Sequence, residues 1–330
     1  MLLVFSDEYD SSTHRVIDWL LYCKKPFIRI NEDSTIQVEK IVLDNEKLDF
    51  VLIIDVPTTK TSVQVKSSDI TGYWYRRGYF NLKMPPLINN WEELETVFEK
   101  MKTYNHFENG KIKDFFHNYF SHIHSLGCYN DNYSINKMYN LFRAQKLKIL
   151  IPESLSVRKK MDLESFIDKH SQCILKGFDR NSFNIQKSVG VGNSATLINK
   201  ENLHNLPQDF GYSFVQQYID KKADIRVFYI GEKIFSTAIF SQNDEQTKVD
   251  FRNYNEEKPN RIQPFKLPIS EEIKLNKLMQ ALHYKTGSID YVLDKNNAFY
   301  FLEINPVGQY GFISAACNLH LDKTIVNYFY

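Results

Sequence analysis

Two short strand-forming runs near the C-terminus, Gly287-Ser-Ile-Asp-Tyr and Phe301-Leu-Glu-Ile-Asn-Pro, constrain this chain more than any other feature. Side chains alternate across a strand, so Glu303 and Asn305, two apart, project from one face. The Asp294-Lys-Asn-Asn between the runs is a turn sequence. A turn centred on residues 295–297 sets Asp290 opposite Glu303, and three oxygen-bearing side chains then converge on one patch. Ile289, Tyr291, Leu302 and Ile304 are expected to face the other way, into a core. Two carboxylates and an amide are hard oxygen donors, a set that suits Mg²⁺ completed by phosphate oxygens and water. A solvated polar face on an edge hairpin is the alternative, and it sits poorly with such groups embedded in an aromatic, aliphatic strand.

Other elements fit a phosphate ligand. Lys176 ends the apolar run Cys-Ile-Leu-Lys, and Lys137 sits in the first turn of a helix expected from about residue 134 to 145. Either could hold phosphates as a point charge; each alone is more often a snorkelling surface lysine. The run Gly190-Val-Gly192-Asn-Ser reads as a Gly-rich hairpin tip, where backbone N–H groups can approach an anion. No GxxxxGK[ST] loop and no helix-opening GxGxxG occurs, so a phosphate site here would be a flap over a cleft. Asp224-Ile-Arg226 and Asp250-Phe-Arg252 place arginines where they could stabilise a phosphoryl or acyl-phosphate group, or form structural salt bridges.

The first stretch alternates short strands with helices. Strands are expected at residues 2–6, 27–30, 36–43 and 50–54, with a helix over 11–24 capped by Ser11 or Ser12. Trp74-Tyr-Arg76-Arg77 is an aromatic-basic segment closed by Gly78. A long helix over 91–126 is expected to break near Asn109-Gly110. This reads as a βαβ-type lobe, 1–127, ending in a polar link over 127–132. The remainder, 128–330, mixes hairpins at 225–240 and 288–304 with an amphipathic helix over 271–284 and a last helix from about 314, an α+β pattern.

With 330 residues the chain suits two or three lobes around a shared core. A net charge of +1 gives no field that argues for nucleic acid or an anionic membrane. Cys23, Cys128, Cys173 and Cys317 form no CxxC pair, which leaves neither a zinc site nor a disulfide framework and points to free thiols in a reducing cytoplasm. The N-terminus lacks a basic segment and is not a signal peptide, and no apolar run approaches the roughly 20 residues that span a bilayer. A soluble cytoplasmic protein is expected. His117, His122 and His124 share no helix face, so no metal site is expected there.

Taken in order, 224–234, Asp250-Phe-Arg-Asn, Gly287-Ser-Ile-Asp and Phe301-Leu-Glu-Ile-Asn-Pro resemble the ATP-grasp enzymes, in the branch of the ribosomal-protein glutamate ligases. The sequence is more similar still to the graspetide (omega-ester peptide) synthetases. Trp74-Tyr-Arg-Arg and the tail from Leu302 to Cys317-Asn resemble the grasp-with-spasm maturases in particular. The resemblance is good over 128–330 and looser before it. It implies an ATP-grasp fold with an N-terminal pre-ATP-grasp lobe, a central lobe over 128–212 and a C-terminal lobe over 213–330, with ATP held between the last two. It implies that Lys137 and Lys176 contact the phosphates, that Gln216-Gln217-Tyr218-Ile219 holds adenine, and that Asp224 holds ribose. Arg226 and Arg252 would meet transferring phosphate, Asp290, Glu303 and Asn305 would hold Mg²⁺, and the Gly190/Gly192 loop would close over the triphosphate. Gln217 stands where relatives often carry Glu, so its side-chain bond to the nucleotide is in doubt. Arg76 and Arg77 would engage acidic residues of a precursor peptide or serve the fold. A SPASM-domain partner and a homodimer are also implied.

The activity expected is therefore ATP- and Mg²⁺-dependent crosslinking of a ribosomally made peptide, through an acyl phosphate, to esters or amides. The competing readings are a ligase that adds amino acids to a protein or small acid, and a non-catalytic peptide-binding protein of the same fold.

Overall fold

Leu2–Phe5 (β1) is buried at every residue, which requires cover on both faces and makes it a central strand. The computed structural model describes every residue except 84–94, 134, 179–182, 187–188, 192–194 and 205, and of 95–98, 183–186 and 189–191 the backbone only. The chain divides into two compact units, Met1–Tyr133 with His320–Tyr330, and Ser134–Leu319.

In the first unit, β1 leads through α1 (Ser11–Tyr22) to a parallel neighbour, β2 (Phe27–Ile30). This is the expected βαβ turn of chain, although Asp10 rather than a serine stands at the N-cap. Its carboxylate accepts from Thr13 Oγ1 at 2.6 Å and from Arg76 Nε at 3.3 Å. β3 (Thr35–Leu43), β4 (Leu48–Val56) and β5 (Thr61–Lys66) form an antiparallel meander. β6 (Gly72–Tyr75) then returns beside β1. α2 (Glu95–His122) runs unbroken through Gly110, where an added side chain would meet open space. One helical glycine costs only about 1 kcal/mol against alanine, so the expected break does not occur. Trp91, where that helix was expected to begin, lies outside the described residues.

Ser125–Leu126 pairs with β6 as β7 instead of ending the helix, and completes a parallel sheet of order β2-β1-β6-β7. The segment expected as a polar link holds a short helix, α3 (Tyr129–Tyr133). Rings explain it: Tyr129 stacks on His117 at 4.0 Å and lies 4.2 Å from Tyr133.

Among the described residues the second unit carries two larger sheets and a two-stranded one. α4 (Lys137–Lys146) is capped by Asn136, whose side chain accepts from Tyr139 N; Ser134, its expected start, lies outside the described residues. β8 (Ser154–Lys159), α5 (Lys160–His170) and β9 (Cys173–Lys176) follow. β10 (Phe183–Gln186) and β11 (Val189–Val191) make a separate hairpin, then come β12 (Thr196–Ile198) and β13 (Asp209–Gln217). The first sheet has the order β12-β9-β13-β8, with Leu163, Phe166 and Ile167 of α5 packed against Val157 and Val215. The lobe boundary expected at 212/213 therefore falls inside β13.

The second sheet is antiparallel. It comprises β14 (Lys221–Ile230), β15 (Lys233–Phe240), β16 (Arg261–Phe265), β17 (Thr286–Asp294) and β18 (Phe299–Asn305), ordered β16-β15-β14-β17-β18. α6 (Ile269–Ala281) precedes β17 and α7 (Gly311–Ala316) follows β18. Alternation on β14 sends Ile225, Val227 and Tyr229 into a core shared with Leu141 of α4 and Leu275, Leu278 and Met279 of α6. The opposite face of β14 carries Asp224, Arg226 and Phe228.

α8 (Leu321–Phe329) closes the chain and packs on α1 in the first unit, with Lys323 5.4 Å over the ring of Trp19. The last eleven residues thus group with the first 133, and the chain passes from the first unit to the second between Tyr133 and Ser134. No helix among the described residues is long and apolar enough to cross a membrane.

His117 offers a test of this packing. Burial depresses its pKa to about 4, against the opposing pull of Asp114 and with Lys113 adding to the depression. The folded chain keeps it neutral while the unfolded chain protonates it below its ordinary value near 6.5. Its contribution is complete above that value and is lost as the pH falls toward 4, by about 3 kcal/mol. Thermal unfolding of wild type should lose midpoint steeply between about pH 7 and about pH 4.5, and His117→Phe should flatten that slope.

Candidate active site

The register of three strands builds the site. Arg226 pairs across β14 and β17 with Asp290, and Asp290 pairs across β17 and β18 with Glu303. The expected opposition of Asp290 and Glu303 is what the hairpin has. Arg226 Nη1 donates to Asp290 Oδ1 at 2.7 Å, and both side chains are buried. Arg226 Nη2 donates to the carbonyl of Gln309 at 2.9 Å, which fixes the turn after β18.

Leu302 departs from expectation. The ladder shifts between Asp290 and Tyr291, so that Tyr291 pairs with Phe301 and Leu302 is the extra residue. Phe301 enters the core in its place, and Leu302 lines the cleft beside Glu303. A second shift, between Lys221 and Ala223, has the same effect on β14. Lys221, three residues from Asp224, would face away from it on a regular strand. Instead its ammonium donates to both Asp224 oxygens at 2.6 and 2.8 Å, and to Val249 O at 3.3 Å. Ser241 Oγ donates to the same carboxylate at 2.7 Å. Burial raises the pKa of Asp224, and Lys221 opposes that rise.

A segment between β15 and β16 supplies the far wall with Val249, Asp250, Phe251 and Arg252. Arg252 grips Asp250 through Nε at 2.8 Å and Nη2 at 2.7 Å, a two-pronged pairing that a planar guanidinium favours. Burial works against the charge of Asp250, but Arg252 and Lys176 together outweigh it and hold the carboxyl below its ordinary pKa. The remaining nitrogen of Arg252, Nη1, lies 3.2 Å from Glu303 Oε1. Lys137 Nζ lies 3.7 Å from Glu303 Oε2 and donates to Gly177 O at 3.0 Å. Lys176 donates to Gln216 Oε1 at 2.8 Å, and Gln216 passes the chain to Ser154 Oγ at 3.0 Å. Burial lowers the pKa of Lys176, partly offset by Glu303.

One cleft thus gathers Lys176, Gln216, Gln217, Tyr218, Ile219, Asp224, Arg252, Asp290 and Glu303, with Lys137 and Arg226 against its carboxylates. Asn305 lies farther along β18, opposite Ser288, where its Oδ1 accepts from Val307 N at 3.2 Å. The side chain of Gln217 accepts from Glu153 N at 3.4 Å and so serves the strand β8 edge. Gly190 lies within β11, paired with Asn184, and not at a hairpin tip. Gly192 lies outside the described residues. Arg76 is in a buried ion pair with Asp10 in the first unit, and Arg77, half-exposed, lies 3.8 Å from Asp7. Sequence reasoning missed Lys221, Ser241 and Leu302, whose positions depend on bulges or a long connection.

Five cations, Lys137, Lys176, Lys221, Arg226 and Arg252, face four carboxylates, Asp224, Asp250, Asp290 and Glu303, so the site favours an anion. Among the described residues no three His, Cys, Asp or Glu side chains cluster as a metal site. The hard-oxygen pair of Asp290 and Glu303, with the amide of Asn305 on the same strand face, suits Mg²⁺ shared with phosphate oxygens.

Comparison with known proteins decides the family. The RimK-like ATP-grasp domain matches residues 136–329. The chain belongs to the RimK-like ATP-grasp family. Proteins of this family are ATP-grasp ligases that use ATP and Mg²⁺, and so does this one. The fold extends over the whole chain. A RiPP-associated ATP-grasp ligase of Chryseobacterium gregarium, solved with ADP and a leader and core peptide, has a TM-score of 0.75 at 22% identity, over 99% of this chain and 94% of that one. The macrocyclase MdnC of Microcystis aeruginosa, bound to precursor peptide MdnA, has a TM-score of 0.71 at 21% identity, over 99% of both chains. The ATP-grasp ligase PsnB, with a precursor variant, Mg and ADP, has a TM-score of 0.68 at 9% identity, over 99% and 97%. No curated protein matches the sequence.

In this RimK-like ATP-grasp ligase the Lys221–Asp224 pair should behave as a buried charge pair. Lys221→Met strands the Asp224 carboxylate and should cost about 3 kcal/mol in urea unfolding. Because burial raises the pKa of Asp224, the loss should shrink as the pH is lowered. Lys221→Met with Asp224→Leu should recover most of it.

Proposed function

We propose that this ligase matures a ribosomally made precursor peptide by linking its side chains as esters or amides. The observation that carries the reading is the convergence of Lys176, Arg252 and the Asp290–Glu303 pair in one cleft, on a chain whose full length matches ligases solved with precursor peptides. Adenine would lie along Gln216–Ile219 and ribose beside Asp224, with the phosphates toward Lys137, Lys176 and Arg252. Asp290, Glu303 and Asn305 would hold Mg²⁺, which would neutralise phosphate charge. Gly190 and Gly192 would belong to a flap over the triphosphate. Arg226, engaged by Asp290 and Gln309, would position the carboxylate instead of meeting the phosphate itself.

In the reaction a substrate Asp or Glu carboxylate attacks the γ-phosphorus and ADP leaves. Arg252, held rigid by Asp250, offers its Nη1 to the charge that develops on the phosphoryl group. A hydroxyl or amine of the same peptide then attacks the acyl carbon, loses its proton, and phosphate departs with the carboxylate oxygen. The product is the peptide less one water per link. No protein nucleophile is required.

Addition of a free amino acid to a protein or small acid would use the same nucleotide residues, and a peptide-binding protein without turnover would use none of the chemistry. A homodimer and a SPASM-domain partner accompany the peptide reading, with Arg77 available to an acidic substrate segment. The four free cysteines support a cytoplasmic site of action.

Intact mass of the acidic peptide encoded beside this gene, after incubation with the protein, ATP and MgCl₂, tests the proposal. Losses of whole waters that vanish in Asp290→Ala are the expected result. A gain of amino-acid residue mass would establish the second reading, and ADP formation with no mass change would sink both.

A further inference from the structure

The two metal-type carboxylates are both occupied by cations, and in different ways. Arg226 is buried, and it also donates to the Gln309 backbone, so its hold on Asp290 is part of the fold. Glu303 is held by Arg252, which lines an open cleft, and by Lys137, whose side chain is largely buried. The Arg252 side chain is 49% exposed and reaches Oε1 at 3.2 Å, while Lys137 reaches Oε2 at 3.7 Å on a flexible stem. These are two of the cations the phosphates need.

We infer that Glu303 gates the phosphate-binding cations: without a metal ion it keeps Lys137 and Arg252 to itself, and on turning to a metal ion it releases both to the nucleotide. The inference rests on reading the cleft as the ATP and Mg²⁺ site. A carboxylate has limited lone pairs and one charge, so a metal ion and two cations compete for it. Each cation that Glu303 retains is weakened toward phosphate. Arg252 stays in place after release because Asp250 holds its Nε and Nη2, leaving Nη1 as the arm that changes partner. Lys137 stays within reach because it also donates to the Gly177 carbonyl. Nucleotide and metal ion then reinforce one another's binding by the same factor, and metal-free ATP is held poorly.

Removing an anion beside a polyanion would by itself improve binding, so the design must separate repulsion from partner exchange. Titration calorimetry with ATP in EDTA, and with ATP and MgCl₂, compares wild type, Glu303→Gln and Asp290→Asn. Glu303→Gln should bind metal-free ATP about tenfold tighter than wild type, because two cations are freed. It should bind ATP with MgCl₂ more weakly than wild type. Asp290→Asn removes the same charge but leaves Arg226 on Gln309 O, and should gain less than about threefold without metal. Adding Lys137→Met to Glu303→Gln should erase most of the gain. Equal gains in the two single variants, or none in Glu303→Gln, would overturn the gate while leaving the ATP site standing. Wild type that binds ATP in neither condition would overturn the underlying reading, and the gate with it. Melting curves identify a misfolded variant, in which case Glu303→Ala poses the same question at the same position.

Discussion

The cross-strand pair of Arg226 and Asp290 is the constraint on which the cleft depends. It joins β14, the central strand of the five-stranded sheet, to its neighbour β17, where a one-residue slip would carry every side chain to the opposite face. The apolar partners fix that register from one side: Ile225, Val227 and Tyr229 alternate with the charges and are buried in the core with Ile289 and Tyr291. Arg226 then carries the register outward to Gln309, and the turn folds back so closely that a Cβ on Gly308 would lie 2.4 Å from Ser288 Cβ. Glycine at 308 is what lets the backbone sit there. The position of Glu303 is thus a consequence of hydrophobic alternation two strands away.

The hairpin opposition of Asp290 and Glu303 was legible because period-2 alternation and a turn sequence are both local. So were the βαβ opening, the strands of the second sheet and the cation-bearing runs. What the sequence concealed is the pair of bulges. Each adds one residue to a strand and inverts the phase beyond it, and nothing in Lys-Lys-Ala-Asp or Phe-Leu-Glu announces where. One bulge moves Leu302 from core to cleft; the other turns Lys221 onto Asp224. Bulges beside a site re-aim side chains where a regular strand cannot. α3 was concealed for a different reason: Asn130, Asp131 and Asn132 read as link, while the stacking of Tyr129 on His117 is long-range.

The 241–260 segment shows how a long connection can be as fixed as a strand. Thr247, fully buried, has its Oγ1 3.0 Å from both Ser241 O and Asn260 Oδ1, tying the two ends of the segment together. Asp244 accepts from Gln246 N and from Asn255 Nδ2, and Lys258 reaches Asn243 O. These polar contacts do within the loop what a ladder does within a sheet, satisfying groups that the turns would otherwise leave unpaired. Arg252 therefore sits on a supported wall, and Asp250 fixes the plane of its guanidinium.

Buried ion pairs contribute little net stability, since desolvation offsets their attraction. Asp224 and Asp290 with their partners are thus poor explanations for why the second unit folds; the core of Leu275, Leu278, Ile289 and Phe301 is the better one. What the charges accomplish is placement. Five cations packed around four carboxylates leave an excess of one positive charge, and burial lowers the pKa of Lys176 among them. The fold thus brings these charges together before any ligand arrives, at the cost of desolvating each of them.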